Sequence, residues 1–270
     1  MKRTFALLLL CLFTAAAGCH VQQLRTAPEK EDPAASGIVQ EQPQLPDGVM
    51  PEAPWNEEKK EPELTQEKEQ TVFITAEESY FSDAVFIGAS RLEGLALYAP
   101  IQGATMFYHR GLMVGDVANY KLYPDKNPSK TALDVLNAKR YGKVYLDFGV
   151  NELGYSTPVF IKAYRSLLEA VKQAQPDAQI YLCGIIPVTA SQEKKSNYVN
   201  NENVRSFNQA IADLAEEYGA VYLDTYACFV DADGCLPEEI STDGVHLKYD
   251  KYTVWRDFLF SHAVAVGQEI

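Results

Sequence analysis

Lys143-Val144-Tyr145-Leu146-Asp147-Phe148, a loop to Thr157-Pro158, an amphipathic run to Gln175-Pro176, and then Gln179-Ile180-Tyr181-Leu182-Cys183-Gly184-Ile185 form the stretch that decides the fold. Its two ends are short apolar runs that read as buried strands. Between them Phe160, Tyr164, Leu167, Leu168 and Val171 recur at the spacing of one helix face. Thr157 is placed to cap that helix, Pro158 to occupy its first position and Pro176 to stop it. A strand, a helix of this length and a second strand make a unit whose strands run parallel.

The same alternation continues on both sides. Upstream, Ala84-Val85-Phe86-Ile87 and Thr105-Met106-Phe107-Tyr108 read as strands, and Ala220-Val221-Tyr222-Leu223 reads as one downstream. Helices are expected from Lys130 to Arg140, from Asn201 to Tyr218 and from Tyr249 to about Val264. In the second of these, Val204, Phe207, Ile211, Leu214 and Ala215 share a face, and Gly219 ends it. The expectation is a parallel sheet of about five strands covered by helices on both faces. Ligands in such sheets bind at the carboxyl ends of the strands.

The chain has 270 residues, 47% hydrophobic and 23% charged, with a net charge of −13. That length allows one domain or two small ones, with a core that needs no disulfide or metal. The acidic balance argues against a nucleic-acid partner, which calls for a basic patch. No repeat of solenoid length is visible.

Residues 1–18 have a basic start at Lys2 and Arg3, a short apolar run from Phe5 to Phe13, and small residues after it. These are the parts of a secretory signal. The ending Ala16-Ala17-Gly18-Cys19 resembles the bacterial lipobox. That resemblance implies lipidation of Cys19 and an extracytoplasmic chain anchored to the cell membrane without spanning it. Residues 19–71 follow as an acidic, proline-rich tether holding seven of the 14 prolines. Such a segment cannot bury enough apolar surface to fold. The globular part is then 72–270, a single domain.

The strand ends carry the chemistry. Gly88-Ala89-Ser90-Arg91 follows the first strand, and His109-Arg110-Gly111 through Gly115-Asp116 follows the second. Gly149-Val150-Asn151-Glu152 follows the third, and Asp243-Gly244-Val245-His246 lies well after the fifth. A serine at a strand-to-helix turn, a histidine to take its proton and a carboxylate to orient that histidine are the requirements of acyl transfer. Backbone N–H groups and an asparagine amide would serve a developing oxyanion.

These four blocks, in this order, resemble those of the SGNH (GDSL-type) serine hydrolases over roughly residues 82–262. The resemblance implies a flavodoxin-like three-layer α/β/α sandwich and an ester hydrolase that needs no cofactor, and the sequence shows no metal-binding motif. Carried over, Ser90 is the nucleophile, His246 the general base and Asp243 its orienting carboxylate. The Ser90 N–H, a glycine N–H and the Asn151 amide form the oxyanion hole. Gly115 resembles the family's glycine because Asp116 follows it, and Gly111, nearer the strand end, is the alternative. Two positions depart from the pattern. Ala89 stands where the family has Asp, and Glu152 replaces the Asp after the Asn, where a longer carboxylate can still brace the loop.

Each residue also has a plainer reading. Ser90 can be a helix cap, Asn151 a turn former and His246 a surface residue. Arg91 reads as a solvated residue at a helix start, or as a contact for an anionic substrate. Of the four histidines, His20 and His262 lie at the chain ends and His109 reads as packed or exposed, which leaves His246 as the base. Asp231-Ala232-Asp233-Gly234 lacks the later ligands of a calcium loop. Outside the cytoplasm Cys228 and Cys235 are expected to pair in a disulfide, while Cys183 reads as buried and inert.

The leading expectation is a tethered extracytoplasmic serine esterase acting on a small-molecule or glycan ester, such as an O-acetylated glycan. The polar stretch 187–203 is expected to overhang its cleft. A catalytically silent binding lipoprotein and an acyltransferase with the same serine chemistry are the alternatives. Oligomeric state is not readable from the sequence.

Overall fold

The structure is a computed structural model that describes residues 71–119 and 131–265. The expected signal segment, Cys19 and nearly all of the tether lie outside the described residues. In chain order the elements are β1 (Phe73–Ile74), β2 (Ala84–Gly88), α1 (Ser90–Tyr98), β3 (Thr105–Tyr108), α2 (Ala132–Ala138) and β4 (Lys143–Asp147). Then come α3 (Thr157–Ala174), β5 (Gln179–Cys183), α4 (Ala190–Glu193), α5 (Asn201–Tyr218), β6 (Val221–Leu223), α6 (Thr225–Phe229), α7 (Tyr252–Ser261) and β7 (Ala263–Val264).

Strands β2 to β6 form one five-stranded sheet in the order β3-β2-β4-β5-β6. Every pairing in it is parallel. With helices on both faces this is the expected three-layer α/β/α sandwich. Side chains alternate between the faces of a strand, and here both faces are apolar. Val85, Ile87, Val144, Leu146, Ile180 and Leu182 pack on one side with α2, α3 and α5. Ala84, Phe86, Tyr145, Tyr181, Val221 and Leu223 pack on the other with α1 and α7. That is why the strands read as continuous apolar runs rather than as alternating ones.

On the second face, register neighbours Phe86, Tyr145 and Tyr181 form an aromatic ladder across three strands. Both ring pairs stack with centroids 4.2 Å apart. Tyr80 ends the ladder, its hydroxyl 2.6 Å from that of Tyr181.

Several elements differ in their bounds from the sequence reading. Helix α3 starts one residue early: Ser156 holds the cap position and Thr157 is already helical. The last helix stops at Ser261, because Ala263 and Val264 pair antiparallel with β1. Helix α1 follows the strand-to-helix turn expected at Ser90, and its extent to Tyr98 was not read from the sequence.

The expected Cys228–Cys235 disulfide is corrected. Cys183, Cys228 and Cys235 are all free thiols. Cys228 packs against the apolar face that holds Phe229 and Leu236. The Cys235 sulfur instead faces the Glu193 carboxylate, at 3.9 Å. The loop between them is closed without a crosslink, by Asp231 accepting the backbone N–H groups of Asp233 and Cys235.

Candidate active site

The four blocks come together at the carboxyl edge of the sheet. Gly88 ends β2 where a β-carbon would sit 2.8 Å from the Asp147 carbonyl, so only glycine lets the two strands close here. Ala89 then occupies the cap position of α1 and offers no side-chain cap. Ser90 is the first residue of α1, so it is not the cap considered for it. Its backbone N–H belongs to the first turn of the helix, where N–H groups lack intrahelical partners.

Ser90 Oγ lies 2.8 Å from His246 Nε2. His246 Nδ1 lies 2.7 Å from Asp243 Oδ2. The other Asp243 oxygen accepts the backbone N–H groups of Val245 and His246, at 2.9 and 2.8 Å. Partial burial opposes ionisation of Asp243. The hydrogen bond and charge of His246, helped by those N–H groups, outweigh it and hold the carboxyl well below its usual range.

The turn that carries His246 is fixed along its main chain. Gly244 has φ +94°, and a β-carbon there would meet Gln192 and Thr189 at about 3 Å. The Gly244 carbonyl accepts from the Thr189 N–H, and the His246 carbonyl from the Ser241 hydroxyl. The polar stretch 187–203 thus lies against this turn through Thr189 and Gln192.

The third block is fixed just as closely. Gly149 has φ +122°, and a β-carbon on it would run into Ile185. Asn151 Nδ2 donates to the Leu112 carbonyl at 2.9 Å, which leaves its second N–H available. Glu152 is 3% exposed. One of its oxygens accepts the Val114 N–H at 2.6 Å and the other the Gly149 N–H at 3.1 Å. Burial pushes its carboxyl up to about 7, against the pull of those backbone N–H groups. The longer carboxylate therefore braces the third block and also reaches the second.

Gly115 is exposed in the short turn Val114–Asp116, and Gly111 is exposed at φ +74°. Both flank the Leu112 to Val114 segment held by Asn151 and Glu152. His109 turns its Nδ1 to the Arg110 carbonyl. Among the described residues no group of three or more His, Cys, Asp or Glu side chains is placed to hold a metal ion.

One reading is overturned. Arg91 is neither solvated nor open to a substrate, being 3% exposed. Its guanidinium donates to the carbonyls of Val245, Ile186 and Pro187. Burial lowers it to about 10, against the charges of Asp147, Tyr252 and Asp243. Sequence reasoning also passed over Ser241 and Thr189, whose role rests on contacts between distant segments.

Fold and site define a three-layer α/β hydrolase with a serine, a histidine and a carboxylate in hydrogen-bonded series. The chain belongs to the GDSL-like lipase/acylhydrolase family, whose model matches residues 114–253, just over half of the sequence. It is an ester hydrolase of the SGNH type.

Solved structures agree on the fold. A protein provisionally described as a platelet activating factor from Streptococcus pneumonia is 26% identical, with a TM-score of 0.52 over 66% of this chain and 81% of that one. A GDSL-like lipase from Bacteroides thetaiotaomicron is 16% identical, with a TM-score of 0.51 over 66% and 86%. A protein provisionally described as an SGNH hydrolase from Slackia heliotrinireducens is 19% identical, with a TM-score of 0.51 over 66% and 97%. No curated protein matches the chain.

Proposed function

We propose that the chain hydrolyses carboxylic esters through an acyl-Ser90 intermediate. The observation that carries this is the series Ser90 Oγ, His246 Nε2 and His246 Nδ1, Asp243 Oδ2, with gaps of 2.8 and 2.7 Å. Ser90 Oγ attacks the ester carbonyl carbon while His246 Nε2 takes its proton. Asp243 holds the imidazole with Nδ1 protonated and stabilises the cation that forms. The oxyanion is received by the Ser90 N–H, the Gly115 N–H and the free N–H of Asn151. Both Gly115 and Gly111 adjoin the segment clamped by Glu152 and Asn151, and the Asp116 that follows Gly115 favours that glycine. Collapse expels the alcohol, protonated by His246, and leaves the acyl group on Ser90. Water then attacks that ester, gives its proton to His246, and releases the acid and free serine.

The lipobox-like Ala16-Ala17-Gly18-Cys19 supports a lipid anchor at Cys19, with the domain carried outside the cytoplasm on the 19–71 tether. From that location we infer an ester of the cell envelope, such as an O-acetylated glycan, as substrate. Acetate release from O-acetylated envelope polysaccharide, with Ser90→Ala as the control, tests the substrate. Incorporation of labelled fatty acid that disappears in Cys19→Ser tests the anchor. Release that Ser90→Ala does not abolish contradicts the mechanism.

A further inference from the structure

Arg91 follows the nucleophile directly, yet its side chain turns inward and serves other segments. Nε donates to the Val245 carbonyl at 3.1 Å, one residue before His246. One terminal nitrogen donates to the Ile186 carbonyl at 2.7 Å, and the other lies 3.4 Å from the Pro187 carbonyl. The planar fork of a guanidinium suits several acceptors fixed in different directions, which the point charge of a lysine does not match.

The carbonyls around the histidine are held from different sides. Gly244 is held by Thr189, Val245 by Arg91, and His246 by Ser241 and Thr242. The clamp on Val245 is the one that comes from the nucleophile's own helix. It fixes the His246 turn relative to Ser90 rather than relative to the neighbouring loops. Ala89 adds no side-chain bond at this turn. The charge is compensated at a distance, since Asp147 and Asp243 both favour the guanidinium.

We propose that Arg91 is a positioning residue for ester hydrolysis. Its guanidinium locks the Val245–His246 main chain to the start of α1 and so sets the Ser90–His246 contact. The inference rests on Ser90 and His246 acting as nucleophile and base.

Arg91→Lys and Arg91→Met test it, with Ser90→Ala in parallel and thermal unfolding to show which variants fold. A misplaced base costs turnover, and displacements of this kind lower rates by up to about 100-fold. Both folded variants are expected to lose about 10- to 100-fold in kcat on a short acyl ester, with KM changed by less than about threefold. The rate of fluorophosphonate labelling at Ser90 should fall in parallel, because it reads the activation of the serine with no substrate-binding subsite involved. If Arg91→Met does not fold, Arg91→Lys keeps the charge in the cavity and gives the same comparison.

A folded variant with wild-type kcat and labelling rate overturns the proposal. So does a rise in KM with kcat unchanged, which would make Arg91 a substrate contact. Should Ser90→Ala itself retain activity and labelling, the serine mechanism is wrong. An inactive Ser90→Ala beside wild-type Arg91 variants removes this inference alone.

Discussion

Glu152 accepts the backbone N–H of Val114 at 2.6 Å across 38 residues of sequence. The contact joins the loop after β3 to the turn after β4, the two segments that would supply the oxyanion donors outside Ser90. Glu152→Gln keeps the shape but leaves one of the two N–H groups facing an amide NH2. Leaving one buried donor unpaired costs about 1–3 kcal/mol, so unfolding should shift by that amount. We expect kcat to fall about tenfold, as for a mispositioned oxyanion donor. Wild-type stability and turnover in Glu152→Gln would show that the brace is dispensable.

The same carboxyl sets a pH dependence. Burial raises Glu152 from 4.5 to about 7, and raises Asp147 from 3.8 to about 6 against the opposing charge of Arg91. A carboxyl raised in the folded state binds its proton more tightly there than in the unfolded chain. Its contribution is therefore full below the unfolded value and is lost as pH rises through the folded one. Thermal unfolding from pH 4 to 8 should show a stability difference between wild type and Glu152→Gln that declines between about pH 4.5 and 7. A difference that stays flat would place the Glu152 carboxyl in an ordinary environment.

Gly244 tests the geometry of the histidine turn. At φ +94° an alanine is strained, and its methyl group meets Gln192 and Thr189. Strain of this type costs about 1–3 kcal/mol. Gly244→Ala should unfold earlier by that amount and lose about 100-fold in kcat, because Asp243 adjoins the strained residue and His246 lies two positions after it. A variant with unchanged kinetics would mean that the turn tolerates movement.

The thiols give a chemical check on the loop after α6. Cys183, Cys228 and Cys235 are free, so the unreduced, denatured domain should titrate as three thiols. One thiol would mean that Cys228 and Cys235 do pair.

What could be read in the sequence and what could not separates along physical lines. Strands β2 to β6 and helices α3 and α5 were legible because each buries a contiguous set of apolar side chains through its own periodicity. The extent of helix α1 was not. Its sequence holds Gly94, a poor helix residue, at the point where the Tyr252 ring occupies the space of a β-carbon. A packing partner 158 positions away cannot be seen in a local window. The short strand β7 was read as helix for the same reason, since its partner β1 lies at the other end of the domain. Ser90 and Asn151 were legible as types just after strands, and Asp243 and His246 as a carboxylate and a histidine three apart. Arg91 was not, because an arginine beside a serine reads as surface until the carbonyls it serves are known.

Covalent labelling is the most direct test of the serine mechanism. The domain is treated with a fluorophosphonate, digested, and the modified peptide sequenced by mass spectrometry. The account predicts one adduct, on Ser90, formed slowly in His246→Ala and absent in Ser90→Ala, with ester hydrolysis lost in step. An adduct on another residue, or hydrolysis that persists in Ser90→Ala, would contradict it.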